Sequence, residues 1–339
     1  MILNNNIELN ICTVDKLYRL RKDILRPDSK SMKSVHFDSD KQTDSVHIAL
    51  SCRNKVIGCV SLMSHNKALF NDRLQLQMRG MAVDHSYQNC GYGRQLILYA
   101  EKMAILLGVR RIWMNARVDV IDFYIKQGYS TVGARFDIPN VCQHIVMSKL
   151  LPEHCLTIRP YQDGDKDYVR QICIRTAYPP FNAKYNDCLT LLFNDYYTEN
   201  EASNCYVIDN NGVAVGYILC STNDDFAQSI IRYMRLASKS SWLFALIAGI
   251  GMRVQNKYHA QYKAHMHIDI MPAYQRLGYG TRLVDTLLSH LRDNSIKSVM
   301  LCCRADNVKA VNFYTRYGYR QVDERFRDKV FVINTDNKE

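Results

Sequence analysis

One seven-residue phrase occurs twice in this 339-residue chain, as YQNCGYG at residues 87–93 and YQRLGYG at residues 274–280. Each copy follows an apolar run and precedes a helical pattern. Gln88 and Gln275 stand 187 residues apart, about the size of one domain. Farther on, VDVIDFYIKQGY from Val118 matches VKAVNFYTRYGY from Val308, and here Tyr124 and Tyr314 stand 190 residues apart. The three added residues fall most simply in the loop RDNSIKS after the second helix. Order and spacing both persist, so whole units repeat rather than one short motif. A chain of this length can bury two cores. Pro152 follows the last strand pattern of the first unit, and LTIRPY then restarts the pattern. We therefore expect units at residues 1–151 and 156–339.

Each unit reads the same way. A helical region such as VDKLYRLRKDIL comes first, followed by two strands. In the second unit these are CYVID and VAVGYILC, joined by Asn210-Asn211-Gly212, a strong hairpin signal. In the first they are VHIALS and KVIGCVSLM, turning at Arg53-Asn54. A longer strand follows, LQLQMRGMAV or AHMHIDIM. The next helix carries apolar residues at Leu96, Ile97, Ala100, Met103 and Ala104, matched by Leu283, Val284, Leu287, Leu288 and Leu291. Then come a strand (RIWMNA or SVMLCC), a short helix with Phe-Tyr, and two final strands. This order predicts an α+β (α/β) protein: two tandem folds, each a mixed, partly parallel central sheet flanked by helices.

The formal net charge is +11, which suits an anionic ligand. No dense Lys/Arg tract interleaves with aromatics, so nucleic acid is not the expected partner. The 12 cysteines show neither C-x-x-C nor zinc spacing, and no metal is expected. They read as small core residues of a reduced, cytoplasmic protein, including Cys302 and Cys303 in a strand expected to be buried. The N-terminus MILNNNIELN lacks the pattern of a secretory signal. The longest apolar run, WLFALIAGIGM at residues 242–252, is too short to span a bilayer. It predicts a buried helix and no membrane partner.

Q-x-x-G-x-G joins a strand to the start of a helix. Glycines let the backbone turn tightly so that successive N–H groups point at one spot. The first helical N–H groups are unpaired and the helix dipole adds positive potential. Together they suit phosphate or pyrophosphate. The alternative is a tight structural turn, but two copies with the same downstream Phe-Tyr favour a ligand. No G-K-[ST] follows, so the turn is not a P-loop. It also lies too late in its unit for a dinucleotide fingerprint.

These residues resemble the GNAT superfamily of acyl-CoA-dependent N-acetyltransferases. The likeness rests on [Gln/Arg]-x-x-Gly-x-[Gly/Ala] at a helix start, then Asn-x-x-Ala-x-x-Phe-Tyr one strand later, then Gly-[Phe/Tyr]. It covers both halves. Through HMHIDIMPAYQRLGYG the second half is similar to the acetyltransferase-like domain attached to O-linked N-acetylglucosamine hydrolases. Through MRGMAVD and NAR the first half is similar to small stand-alone bacterial members.

The resemblance implies acetyl-CoA (coenzyme A) as cofactor, its pyrophosphate lying on the turn. In the second half this assigns Gln275, Arg276, Leu277 and Gly278, then Tyr279, Gly280 and Thr281. In the first it assigns Gln88, Asn89, Cys90 and Gly91, then Tyr92, Gly93 and Arg94. The pantetheine arm would lie along the preceding strand, beside Ile268, Asp269 and Ile270, or Met81, Ala82 and Val83. The family's pantetheine-binding Asn falls on Asn307, with Ala310 in the same motif. The first half departs from the pattern with Arg117. The family's Tyr, which protonates the leaving thiolate, falls on Tyr314 and Tyr124. Phe123 and Phe313 are expected to be mainly core aromatics.

An alkyl ammonium must lose a proton before it can attack a thioester, and a carboxylate or His can take it. Strand alternation puts His265, His267 and Asp269 on one face, so a base relay opening toward the acceptor groove is expected there. The first half has Gly80 and Ala82 at the positions of His267 and Asp269. Gln77 and Arg79 could line a different, anionic acceptor site. The reading is an N-acetyltransferase acting by direct attack of a primary amine, on a small molecule or a protein lysine, with the C-terminal half catalytic. A non-catalytic acyl-CoA-binding sensor or scaffold remains an alternative. So does a tandem acyltransferase of a small amino sugar, resembling mycothiol synthase. Residues 231–262 are a candidate acceptor wall or interdomain contact.

Overall fold

The computed structural model describes residues 2–4, 6–139, 141–178, 180, 182–242, 257–258, 261–325 and 327–336. Two compact units appear, Met1–Glu153 and His154–Glu339. In the first, strands β1 (Ile2–Asn4), β2 (Ile7–Ile11), β3 (Val46–Cys52), β4 (Lys55–Met63), β5 (Gln75–Val83), β6 (Arg111–Arg117), β7 (Ser130–Ile138) and β8 (Cys142–Leu150) form one sheet. Its order is β1-β2-β3-β4-β5-β6-β8-β7. In the second, β9 (Leu156–Pro160), β10 (Tyr206–Asn210), β11 (Val213–Ser221), β12 (Ala264–Ile270), β13 (Ser298–Arg304), β14 (Arg320–Arg325) and β15 (Asp328–Asn334) form another, ordered β9-β10-β11-β12-β13-β15-β14. Apart from β1 the two orders are the same. Each sheet is antiparallel except for one parallel pair, β5 with β6 and β12 with β13. The expected α+β class, with two mixed sheets, is what the chain forms.

Local chemistry explains the shared frame. The hairpins β3–β4 and β10–β11 each close on two consecutive residues with positive φ, Arg53 (46°) and Asn54 (66°), or Asn211 (53°) and Gly212 (81°). Paired positive φ is the twist that two-residue turns need, and it sets the register of both strands. The long helices, Tyr92–Leu106 and Tyr279–Asp293, bury all ten apolar positions expected from their spacing. Full burial of one such side chain stabilises by roughly 1.5–3 kcal/mol, so each helix is held mainly by its stripe. Cys302 and Cys303 are half-buried rather than fully buried, Cys302 packing against the core group of Met300, Val330 and Val332. All twelve cysteines are free thiols. Of the run at 242–252 only Trp242 is described, and it is 70% exposed; the expected buried helix otherwise lies outside the described residues. In the segment 231–262, residues up to Ser240 continue the helix Phe226–Ser240.

Candidate active site

In each unit the parallel pair separates. β5 and β6 are in register only from Gln75↔Arg111 to Gln77↔Trp113. β12 and β13 are in register only at Ala264↔Val299 and His265↔Met300. Beyond these points β5 pairs only with β4, and β12 only with β11. The free edges of Met81–Val83 and Ile268–Ile270 therefore offer backbone donors and acceptors to an extended ligand, the mode by which an added strand binds.

The glycine turn lies at the end of the same strand. Gly91 (φ 80°) and Gly278 (φ 82°) are the N-caps of the long helices, and no side chain caps either helix. The first bond into each helix comes from the N–H of Gln95 to Gly91 O, or of Arg282 to Gly278 O, both 3.2 Å. The N–H groups of Tyr92, Gly93 and Arg94, and of Tyr279, Gly280 and Thr281, lie ahead of that bond and have no helical acceptor. A Cβ on Gly91 or Gly278 would meet nothing within 4 Å, so the space above the turn is open. Asn89 (φ 59°) and Arg276 (φ 63°) are also left-handed, which curves the chain into an anion-binding concavity. Residues 88–91 and 275–278 are exposed. Open edge and anion cradle in series fit a ligand with a peptide-like arm ending in pyrophosphate, as coenzyme A has. The Gln side chains brace the turn. Gln88 Nε2 donates to Val83 O (3.0 Å) and Gln275 Nε2 to Ile270 O (2.8 Å), bracing turn against strand.

The second glycine packs closely under an aromatic ring. A Cβ on Gly93 would sit 3.1 Å from Phe123 Cζ, and one on Gly280 3.3 Å from Phe313 Cζ. Both phenylalanines are half-buried rather than core, and they seat the long helix against the short one. The adjacent tyrosines are buried. Tyr124 is pushed up to about 12 by burial, and its hydroxyl donates only weakly to Met81 Sδ at 3.5 Å. Tyr314 is raised further, first by burial and then by the charges of Cys303 and Asp269. Its hydroxyl has no hydrogen-bond partner among the described residues. Asn307 caps the helix Val308–Tyr317, its Oδ1 accepting from Ala310 N at 3.3 Å; Nδ2 stays available to a ligand.

β12 carries the candidate bases. Asp269 is half-buried, and burial raises it to about 6, with the hydroxyls of Tyr217 and Thr176 pulling the other way. Tyr217 Oη donates to Asp269 Oδ2 at 2.6 Å from the facing position on β11. The histidines meet a different tyrosine. Tyr197 Oη lies 2.8 Å from His265 Nε2 and 3.0 Å from His267 Nε2. Its one proton serves one imidazole, and its lone pair takes an N–H from the other. His265 is buried against the Tyr197 and Phe226 rings, and burial lowers His267 to about 4, so it stays neutral near pH 7. Tyr217 and Tyr197 are absent from the sequence motifs. Alternation along β11 would have found Tyr217 had the register been known.

The first unit differs at the same place. Between Cys59↔Ala82 and Ser61↔Arg79 the β4–β5 register slips, a bulge with Gly80 at φ 61°. A Cβ on Gly80 would lie 2.8 Å from Arg21 Nε, so glycine is also sterically required. Arg21 is wholly buried, donating through Nη1 to both Asp40 oxygens (2.9 Å) and through Nη2 to Ser61 Oγ (2.6 Å). Gln77 is buried against His65 rather than lining a groove, and Arg79 stacks 4.1 Å over Phe37. Arg117, at the position of the family's Asn, donates to Leu25 O at 3.0 Å.

Residues 14–129 and 167–319 match the acetyltransferase (GNAT) family. The chain belongs to this family: it is an N-acetyltransferase that uses acetyl-CoA and an amine acceptor. It is 32% identical over 145 residues to the uncharacterized N-acetyltransferase YitI of Bacillus subtilis, spanning 43% of this chain and 97% of that one. It is 24% identical over 106 residues to the probable N-acetyltransferase san of Drosophila melanogaster (31% and 58%). Among solved structures, SsHAT is similar at 24% identity and TM-score 0.46, covering 54% of this chain and 99% of that one. An aminoglycoside 6'-N-acetyltransferase complexed with coenzyme A is similar at 16% identity and TM-score 0.36, covering 43% and 98%. Among the described residues no helix is long and apolar enough to cross a membrane.

Proposed function

We propose that the C-terminal unit is the catalytic half and that it acetylates a primary amine by direct attack. The observation that carries this is Asp269, a carboxylate raised to about 6 on the open edge of β12, whose charge is felt at Tyr314. Acetyl-CoA supplies an acetyl group already activated as a thioester. Asp269 is suited to accept the proton that an ammonium must lose before its nitrogen becomes a nucleophile. Tyr314 holds a proton at Oη in a dry setting, where a departing sulfur needs one. Tyr217 keeps the carboxylate oriented by its 2.6 Å bond. The neutral His267 and the Tyr197 hydroxyl form an uncharged wall beside it. A covalent acyl-enzyme is disfavoured by the nearby thiols. Burial pushes Cys303 up to about 11 and Cys302 to about 12, so both are protonated and weakly nucleophilic near neutrality.

The cofactor residues proposed are the backbone of 275–281, the edge Ile268–Ile270, and Asn307. Their counterparts in the first unit are 88–94 and Met81–Val83, but with Gly80 and Ala82 in place of the histidine and aspartate. Titrating acetyl-CoA calorimetrically into the wild type and into Gly91→Asp/Gly93→Asp and Gly278→Asp/Gly280→Asp tests the assignment. We expect the second pair to remove the site that supports transfer. Loss of transfer with the first pair alone would reverse the halves, and no binding to folded wild type would end the reading.

A further inference from the structure

A large cavity in the first unit, about 880 Å³, does not coincide with the coenzyme A groove. It lies between the end of the helix Tyr18–Leu25 with the loop after it, the end of β6 and the turn between β7 and β8. None of residues 88–94, Met81–Val83 or Tyr124 lines it. Its wall nevertheless reaches the strand β5, because Ile24 and Leu25 line the cavity and also pack against the core group that contains Ala82.

The chemistry of this cavity is unusual in one respect. Arg26 Nη1 and Arg117 Nη2 donate to the same oxygen, Leu25 O, at 2.8 and 3.0 Å. Two guanidinium groups are thereby held side by side on one neutral acceptor. Neither has a carboxylate within 4.0 Å among the described residues, although Asp28 and Asp119 line the same cavity and are exposed. Burial, and then the neighbouring Arg117 charge, lower Arg26. A pair of like charges held together in a half-buried wall is complementary to an oxyanion, and planar guanidinium forks bind carboxylate through two parallel hydrogen bonds. The Asp28 and Asp119 carboxylates in the same lining are complementary to an ammonium.

We infer that this cavity is the small-molecule site of the N-terminal unit and that it takes an amino-acid-type zwitterion, its carboxylate on Arg26 and Arg117 and its ammonium toward Asp28 or Asp119. The inference rests on reading this face of the unit as its acceptor side. It gives Arg117 a purpose that differs from pantetheine binding, for which the C-terminal unit has Asn307.

The test is ligand-observed saturation-transfer NMR on the full chain. The probes are the twenty protein amino acids and γ-aminobutyrate, with n-butylamine and butyrate as fragments carrying only one charge. At least one zwitterion should bind, and n-butylamine should not. Arg26→Gln and Arg117→Gln should each weaken that binding about tenfold or more, the loss expected for one charge-assisted bond. Arg117→Lys, which keeps the charge without the fork, should fall between. Failure of every zwitterion to bind wild type, or binding that survives both glutamine substitutions, overturns the inference. If a glutamine variant does not fold, Arg117→Lys and the comparison of γ-aminobutyrate with n-butylamine still decide it. Acetyl-CoA titrated into the same samples separates the outcomes: its failure to bind would refute the transferase reading while the amino-acid result stands by itself.

Discussion

Replacing Asp269 by asparagine is expected to stop transfer and yet make the protein more stable. The carboxyl is raised from 3.8 to about 6, chiefly by burial. At 1.36 kcal/mol per pKa unit, the ionised side chain costs the folded C-terminal unit about 3 kcal/mol near neutrality. The sign follows from linkage. A carboxyl raised on folding gives its full relative stability below pH 3.8, and that stability is lost as the pH rises through about 6. Asparagine is nearly isosteric, can still accept from Tyr217, and has no charge to desolvate. The variant should therefore melt about 6–12 °C above wild type at pH 7.5, given about 2–4 °C per kcal/mol for a unit of this size. By pH 4.5 the advantage should shrink to about a third, because wild-type Asp269 is then mostly protonated in the fold. Scanning calorimetry of both proteins from pH 4.5 to 8 reads this directly without knowledge of the acceptor. An asparagine variant that melts at or below wild type at pH 7.5, or a difference that does not change with pH, would refute the burial argument.

Wild-type transfer should fall tenfold per pH unit below about 6 as Asp269 becomes protonated, a limb read from kcat/KM against pH. Tyr314→Phe should lower transfer by about 10²–10⁴-fold while acetyl-CoA binding, followed by calorimetry, stays within twofold or so. Because that hydroxyl has no hydrogen-bond partner among the described residues, the melting temperature should not drop. Asp40→Ala leaves the wholly buried Arg21 without its carboxylate and should destabilise the first unit by about 3–5 kcal/mol, measured by urea unfolding. Gly93→Val should cost about 1–3 kcal/mol by driving a side chain into Phe123, and Phe123→Leu in the same chain should recover part of it, measured as a thermal double-mutant cycle.

The parts of this molecule that could be read from the sequence are those fixed by short-range chemistry. Asn211-Gly212 and Arg53-Asn54 declare their turns through residues that tolerate positive φ, and the stripes from Leu96 and Leu283 declare their buried faces through spacing. The glycine turns were legible for the same reason, and twice over. What escaped depends on contacts between distant segments. Tyr217 meets Asp269 across 52 residues, Tyr197 meets His267 across 70, and Arg117 meets Leu25 across 92. Alternation put His265, His267 and Asp269 on one face of a strand. It could not say that Tyr197 would close on both imidazoles and leave the carboxylate to a different tyrosine. Nor does any local pattern mark the bulge at Gly80, which is dictated by Arg21 packing from another element. The expectation that Phe123 and Phe313 are core residues failed because it considered the aromatic pair apart from the glycine it faces.

That glycine–phenylalanine contact bears on how two copies of one unit drift apart. A larger residue at Gly93 or Gly280 collides unless its phenylalanine gives way, so either position can change only in company with a residue 30 or more places downstream. Such mutual dependence slows divergence at both ends. Gly80 and Ala82 have no equivalent tie to His267 and Asp269, their counterparts in the other copy, and there the two halves no longer agree. The trace of common ancestry is thus kept by steric partnerships in the scaffold. The freedom to specialise lies a few residues away on the strand, where Gly80 answers to Arg21 in one half and Asp269 to Tyr217 in the other.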